Sequence, residues 1–406
     1  MQDIQRPQKM KDNLILIIGI IAVAAMLRAP LTAVGPVINE IRDDLMISNT
    51  VAGLLTTIPL LIFAAVSPFV SKAVAKFSMP VTIFYAIILL GVSLYIRTFG
   101  SLEWFVIGTI LLGVAISVGN VTLPSYAKWK FPLQMGFVTA IYSSTMNLTA
   151  GIGSGVSVPL AELSGWGYKL SLTIWIVIAI TAMFLWIPQL RGREKSVKAE
   201  TDRVSNAPKR RMSQSKMAWA IAIMFALQST TFYTNVAWLP SILMDKGYSP
   251  ETAGYLFMFC QFAQLPMTFL FPILASRVDN QRVIVFFITG LLMTGYLFLF
   301  ADAFVLLVIS MIFIGFGTGA AFSTCMLLFS LKARTDTGSI SLSGFGQSIG
   351  YLLAAIGPFL MGYLFDLAGT WTPALFSYLF VVVMFFGAGM VATRKFYIED
   401  ELEGGV

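Results

Sequence analysis

The chain has 406 residues, of which 57% are hydrophobic and only 12% charged, and its mean hydropathy is +0.82. A soluble domain carries about twice that share of charge, so this chain lacks the polar groups to cover a water-facing surface of its size. Soluble enzymes, nucleic-acid binders and disordered chains are excluded, and an all-α protein embedded in the lipid bilayer remains. The formal net charge of +7 is read as Lys and Arg held on the cytoplasmic side, with no nucleic-acid partner.

A membrane-crossing helix needs about 20 mostly apolar residues. The first such run, 13–38, follows Arg6, Lys9 and Lys11. It is longer than the apolar core of a signal peptide and is predicted to stay as an uncleaved helix. It also contains Arg28. Runs at 51–71, 80–96, 104–126, 135–161 and 168–187 complete a set of six. The stretch 189–217 is the longest polar one and is basic, which predicts a cytoplasmic linker. Six more runs follow, at 218–244, 251–275, 283–300, 304–330, 338–365 and 373–393. The expected architecture is twelve transmembrane helices in two six-helix bundles, residues 1–188 and 218–406, the second with a short cytoplasmic tail.

Charge predicts the orientation. With both termini inside, 22 of the 27 basic residues fall on the cytoplasmic side and only Arg42, Arg97, Lys169 and Lys246 outside. The remaining one is Arg28. It lies about ten residues from the outer end of its helix and about fifteen from the inner end, roughly 15 and 22 Å, too deep to reach either headgroup layer. An Arg at a helix centre costs about 2.5–3.5 kcal/mol on insertion scales. Every acidic residue maps to a terminus, a loop or a span end, so no protein counter-ion is expected at mid-depth. A guanidinium presents paired planar donors suited to oxyanions. Arg28 is therefore the expected anchor for the negative or polarised end of a solute. The competing reading is an Arg bonded to helix-end carbonyls near Pro30 and Pro36, serving packing. There is no histidine, and Cys260 and Cys325 sit in apolar runs. Metal, haem and disulfide chemistry lack their raw material, so no cofactor, metal or catalytic site is expected.

The two halves echo each other. Ala33-Val34-Gly35-Pro36 parallels Ala237-Trp238-Leu239-Pro240, Ala52-Gly53 parallels Ala253-Gly254, and Ser67-Pro68-Phe69 parallels Phe271-Pro272-Ile273, at offsets of 204, 201 and 204 residues. A six-helix unit used twice is the plan of carriers that rock two bundles about a midplane site.

With twelve spans, a basic central loop and this repeat, the chain resembles the major facilitator superfamily over nearly its whole length. The superfamily's loop motif after span two is degenerate in both copies, at 68–76 and 272–282. Stretches more specific to one branch are Leu27-Arg28-Ala29-Pro30-Leu31-Thr32 in span one, Met146-Asn147-Leu148 with Gly151-Ile152-Gly153-Ser154-Gly155 in span five, Leu227-Gln228-Ser229-Thr230-Thr231-Phe232-Tyr233 in span seven and Gly346-Gln347-Ser348-Ile349-Gly350-Tyr351 in span eleven. They resemble the cyanate/2-nitroimidazole porter family. The resemblance implies a monomeric secondary transporter that moves a small anionic or nitro-bearing solute by alternating access.

It further implies a chamber lined by Arg28, Thr32, Asn120, Tyr142, Asn147, Gln228, Tyr233, Trp238, Gln261, Gln264 and Gln347. The offset of 204 puts Phe232 opposite Arg28, next to Tyr233. Polar residues in membrane helices also serve as glue between helices, and the glycines are expected at close helix contacts. The alternative function is multidrug efflux through a greasy pocket, permitted by 33 phenylalanines and 20 methionines. Import, exchange and efflux are all compatible with this inventory, whereas a conventional intramembrane carboxylate or His proton relay is not expected.

Overall fold

In lipid every backbone polar group must be satisfied within the protein, and apolar runs of this length do so as helices. The computed structural model is helical throughout the residues it describes, 14–131, 135–191, 212–278, 280–334 and 336–402. The basic residues Arg6, Lys9 and Lys11 and positions 192–211 of the predicted linker lie outside them. Nine helices among the described residues are long and apolar enough to cross a bilayer, and Arg282–Phe298 is apolar but shorter. Two more long helices, Met135–Glu162 and Lys216–Asp245, carry many of the polar side chains. The twelve spans form two bundles of six.

Span one is not a single helix. α1 (Leu14–Met26) stops before Arg28, α2 (Ala29–Thr32) restarts, a 3-10 turn at Gly35–Val37 follows, and α3 (Ile38–Asp44) completes the crossing. Pro30 and Pro36 explain the breaks, because a proline has no N–H to donate to the preceding turn. The first bundle continues with α4 (Asn49–Phe77), α5 (Met79–Ile96), α6 (Leu102–Lys130), α7 (Met135–Glu162) and the pair α8 (Tyr168–Thr173) and α9 (Ile176–Trp186). The second contains α10 (Lys216–Asp245), α11 (Pro250–Arg277), α12 (Arg282–Phe298), α13 (Phe304–Leu331), the broken pair α14 (Asp336–Ala354) and α15 (Ile356–Ala368), and α16 (Thr372–Ala392), with a short α17 (Ile398–Leu402) after it.

The repeat extends to the helix caps. Ser48 accepts from Val51 N at the start of α4, and Ser249 accepts from Thr252 N at the start of α11. Each hydroxyl satisfies one of the orphan donors of a helix N-terminus. Several helices overrun their apolar stretches: α4 continues to Phe77 and α6 to Lys130, because a helix does not end where the hydrocarbon does. The chain continues as helix through Pro240, which lies inside α10.

The bundles meet along two seams, α7 against α11 and α4 against α14 and α15. Lipid tails are as apolar as Leu, so such seams depend on close packing rather than on hydrophobic expulsion. α7 achieves this with glycines on opposite sides. A Cβ on Gly153 would lie 2.8 Å from the Ala29 carbonyl of span one, while Gly151 and Gly155 face Phe262 and Met258 of α11.

At the end of the molecule away from the chain termini, here called distal, the bundles are knit together. The backbone of Gly35 lies directly on the Val236 carbonyl of α10. Asp366 of α15 accepts from Thr50 N at 2.7 Å, from Asn49 Nδ2 at 3.0 Å and from the Thr50 hydroxyl, all at the start of α4. At the terminal end, Glu401 of α17 accepts from Ser215 Oγ and Met217 N, holding the first turn of α10.

Candidate binding site around Arg28

The break in span one creates the site. With no N–H on Pro30, the helix restarts at Arg28, whose carbonyl accepts from Leu31 N at 3.0 Å and Thr32 N at 3.1 Å. The side chain thus leaves a helix end at mid-depth rather than the flank of a continuous helix. Its guanidinium lies 4.3 Å from the centre of the Phe232 ring and 5.5 Å from that of Phe322. Nη1 donates to Asn147 Oδ1 at 3.3 Å, and Asn147 Nδ2 donates to Thr268 Oγ1 at 3.5 Å. Tyr233 and Tyr351 lie within electrostatic reach of the guanidinium. Their rings are 6.2 Å apart, and Phe63 sets an edge against each, at 6.4 and 5.7 Å. Span one, α4, α7, α10, α11, α13 and α14 all contribute, so both bundles own part of the site.

The chemistry is lopsided. A guanidinium has five N–H donors, and among the described residues its hydrogen-bonding partner is Asn147, a neutral amide. No carboxylate pairs with Arg28 among those residues, and no helix-end carbonyl near Pro30 or Pro36 accepts from its side chain. Cation–π contacts offset part of the desolvation cost, by about 2 kcal/mol or more away from water. They satisfy the face of the guanidinium and leave its edge, where the N–H groups point, in need of acceptors. The side chain is only partly buried, so a small acceptor can reach that edge.

The structure sorts the sequence-predicted residues. Arg28, Asn147 and Tyr233 come together, with Phe232 opposite Arg28 as the repeat predicts. The same offset relates Asn147 to Tyr351. Thr32 is buried, and its hydroxyl donates to Ala150 O at 2.8 Å and lies against Gly153; it joins span one to α7 rather than facing a solute. Trp238 is buried too, donating from Nε1 to Pro358 O at 2.8 Å with its ring 5.3 Å from Trp371; it wedges α10 against α15 in the distal seam. Gln264 donates to Gln261 one turn away on α11, and Gln347 donates to Ser343 Oγ at 2.8 Å on α14. Gln228 is buried and accepts from Ser229 Oγ at 3.3 Å. Asn120 and Tyr142 are partly buried on α6 and α7. Gly346 and Gly350 stand at close contacts, against the rings of Phe329 and Phe225.

Sequence reasoning missed Phe63, Phe322 and Thr268, which carry no signal in a chain this rich in Phe and Thr. It placed Arg97 in an outer segment and gave it no further role. In the structure Arg97 is 3% exposed, with its guanidinium 4.6 Å from the Phe105 ring.

The chain matches the Major Facilitator Superfamily over residues 16–358. It belongs to that superfamily. It is 40% identical to the uncharacterized transporter YycB of Bacillus subtilis (strain 168) over 94% of each chain. It is 33% identical to the 2-nitroimidazole transporter of Escherichia coli (strain K12), over 95% of this chain and 96% of that one. The cyanate transport protein CynX of the same organism is 24% identical, over 88% of this chain and 91% of that one. Among solved structures, a bacterial homolog of the human lysosomal transporter Spinster, inward-facing and occupied, superposes with a TM-score of 0.72 at 13% identity, over 96% of this chain and 95% of that one. The protein is accordingly a multi-pass secondary transporter of the superfamily and not an enzyme.

Proposed function

We propose that this transporter moves a small anionic or nitro-bearing solute, and that Arg28 holds the solute's negative or polarised end. One observation carries the reading: a positive charge sits where helices of both bundles converge, with an amide and rings around it and no carboxylate partner among the described residues. A nitro group or nitrite supplies two oxygens on one atom, matching the paired N–H donors of the guanidinium edge, and linear cyanate supplies a single end atom to one or both donors. Its other end would rest on the Phe and Tyr rings, which wall it from water. The relatives named for 2-nitroimidazole and cyanate transport support a solute of this size and polarity. We place both termini on the cytoplasmic side, on the charge asymmetry alone. The predicted boundaries at 188 and 218 are part of the same proposal.

The test is solute binding and uptake in Arg28→Lys and Arg28→Ala. A hydrogen bond to a charged group contributes about 1.5–3 kcal/mol, so both variants should lose about tenfold to a hundredfold in affinity for nitrite, cyanate and 2-nitroimidazole while reaching the membrane normally. Near-normal uptake by the Lys variant would overturn paired-donor recognition. The ring cage supports a second reading, efflux of larger apolar compounds; extrusion of a lipophilic dye that survives Arg28→Ala would favour it.

A further inference from the structure

Arg97 closes α5 at the distal end, in a segment that the sequence alone places outside the spans. It is 3% exposed, and its Nε and Nη1 have no hydrogen-bond partner. The nearby carboxylates are engaged elsewhere. Asp44 accepts from the Tyr168 hydroxyl at 2.8 Å and faces Lys169 at 3.4 Å, and Glu40 accepts from Tyr168 N at 2.8 Å. The Phe105 ring covers one face of the guanidinium. The other feature beside it is a small cavity that Arg97 lines together with Leu31, Thr56, Thr109 and Tyr233. Tyr233 also faces Arg28, so it stands between this cavity and the central site. Burial lowers the Arg97 guanidinium to about 10, and it is still charged at neutral pH.

The repeat acts as an internal control. Leu299 caps α12 as Arg97 caps α5. Ser310 stands where the first bundle has Gly108, and it donates to Gly295 O at 2.7 Å. The six-helix unit therefore closes this corner without a cation. In the first bundle Gly108 makes room for the Arg97 stem, since a Cβ there would lie 2.5 Å from Arg97 Cγ. A buried cation with two unpaired donors, beside a cavity that its own side chain helps to line, is more than this corner of the fold requires.

We propose that Arg97 forms a second anion site, on the distal side of Tyr233, that takes a small monovalent anion of halide or cyanate size. The cavity has about 30 Å³ of room, enough for a water molecule or one such ion, so a larger solute needs the distal seam to part. The site does not depend on Arg28 holding the transported solute. The ion comes either from bulk chloride or from the transported anion on its way past Tyr233.

Crystals of the full chain soaked in sodium bromide give the first readout. An anomalous peak about 3.5 Å or less from the Arg97 guanidinium is expected. A wild-type crystal without that peak overturns the proposal, whatever it shows at Arg28. Calorimetric titration with sodium bromide gives the second: Arg97→Gln should bind one bromide fewer than wild type and Arg97→Lys should retain it more weakly, whereas unchanged stoichiometry in Arg97→Gln overturns the site. Cyanate uptake into proteoliposomes, with chloride replaced by gluconate, separates the sources. If bulk chloride resides there, its removal slows the wild type and leaves Arg97→Gln unaffected. If the site is a stage of the solute's path, Arg97→Gln raises KM about tenfold and chloride removal lowers the wild-type KM. An Arg97→Gln protein with wild-type KM and wild-type chloride response overturns both.

Discussion

At the scale of single residues, the partner of Arg28 decides the chemistry. Asn147 is a neutral acceptor 3.3 Å from Nη1, and Asn147→Asp changes almost no volume while placing a negative charge there. An opposite charge at that distance is a strong internal competitor. The Asp variant should fold with a Tm at or above wild type, yet lose the thermal shift given by nitrite or cyanate, because ligand stabilisation follows affinity by mass action. A wild-type shift in that variant would mean that the solute does not use the guanidinium edge. Arg28 was legible in the sequence because a charge in hydrocarbon is conspicuous and every acid lay elsewhere. The rings around it were not: one Phe among 33 is uninformative until the fold selects Phe63, Phe232 and Phe322. The burial of Arg97 was not legible, because hydropathy does not tell a span-end side chain that folds back from one in solvent, and only the groove at Gly108 shows it. Thr32 and Trp238 are polar groups inside spans whose donors the structure gives to neighbouring helices, a use that the sequence does not distinguish from lining a chamber.

At the scale of elements, the break in span one matters most. Its position follows from Pro30, and its support is the glycine face of α7. Gly153→Val would put branched carbon against the Ala29 carbonyl and the Thr32 hydroxyl, which lie 2.8 and 2.9 Å from the position of a Cβ. Overpacking of this kind costs about 1–3 kcal/mol. The expected outcome is a modest fall in thermal stability with a larger fall in solute affinity, since α2 and with it Arg28 must shift. Gly290, which meets nothing around it, provides the control: Gly290→Ala should leave both unchanged. Span number and order were legible because apolar runs of about 20 residues have few alternatives. The split of span six was not anticipated, since hydropathy averages over the residues where a helix stops and restarts.

At the scale of the whole molecule, the distal closure is polar and exposed where Asp366 reaches across to α4. Contacts of this kind contribute about 0.2–1 kcal/mol each. Asp366 accepts three of them, so Asp366→Ala should shift the balance between distal-closed and distal-open forms by about threefold to a hundredfold, read as faster labelling of a cysteine placed at Val236 from the distal side. Labelling at the wild-type rate would show that the Gly35 contact, not the carboxylate, holds the seam. The two-bundle plan was visible beforehand in three weak sequence echoes, and the paired caps Ser48 and Ser249 show that they mark equivalent helix starts.

The proposed role of Arg28 also assigns an electrical character to each leg of the cycle. Carrying a monovalent anion, the carrier crosses as a neutral unit; returning empty, it crosses with one uncompensated positive charge. Voltage then acts on the vacant return and not on the loaded step, at about 2.3 kcal/mol per charge per 100 mV moved through the full field. On the proposed role and orientation, a negative interior favours the vacant site facing inward, and turnover should become steepest in voltage when solute is scarce.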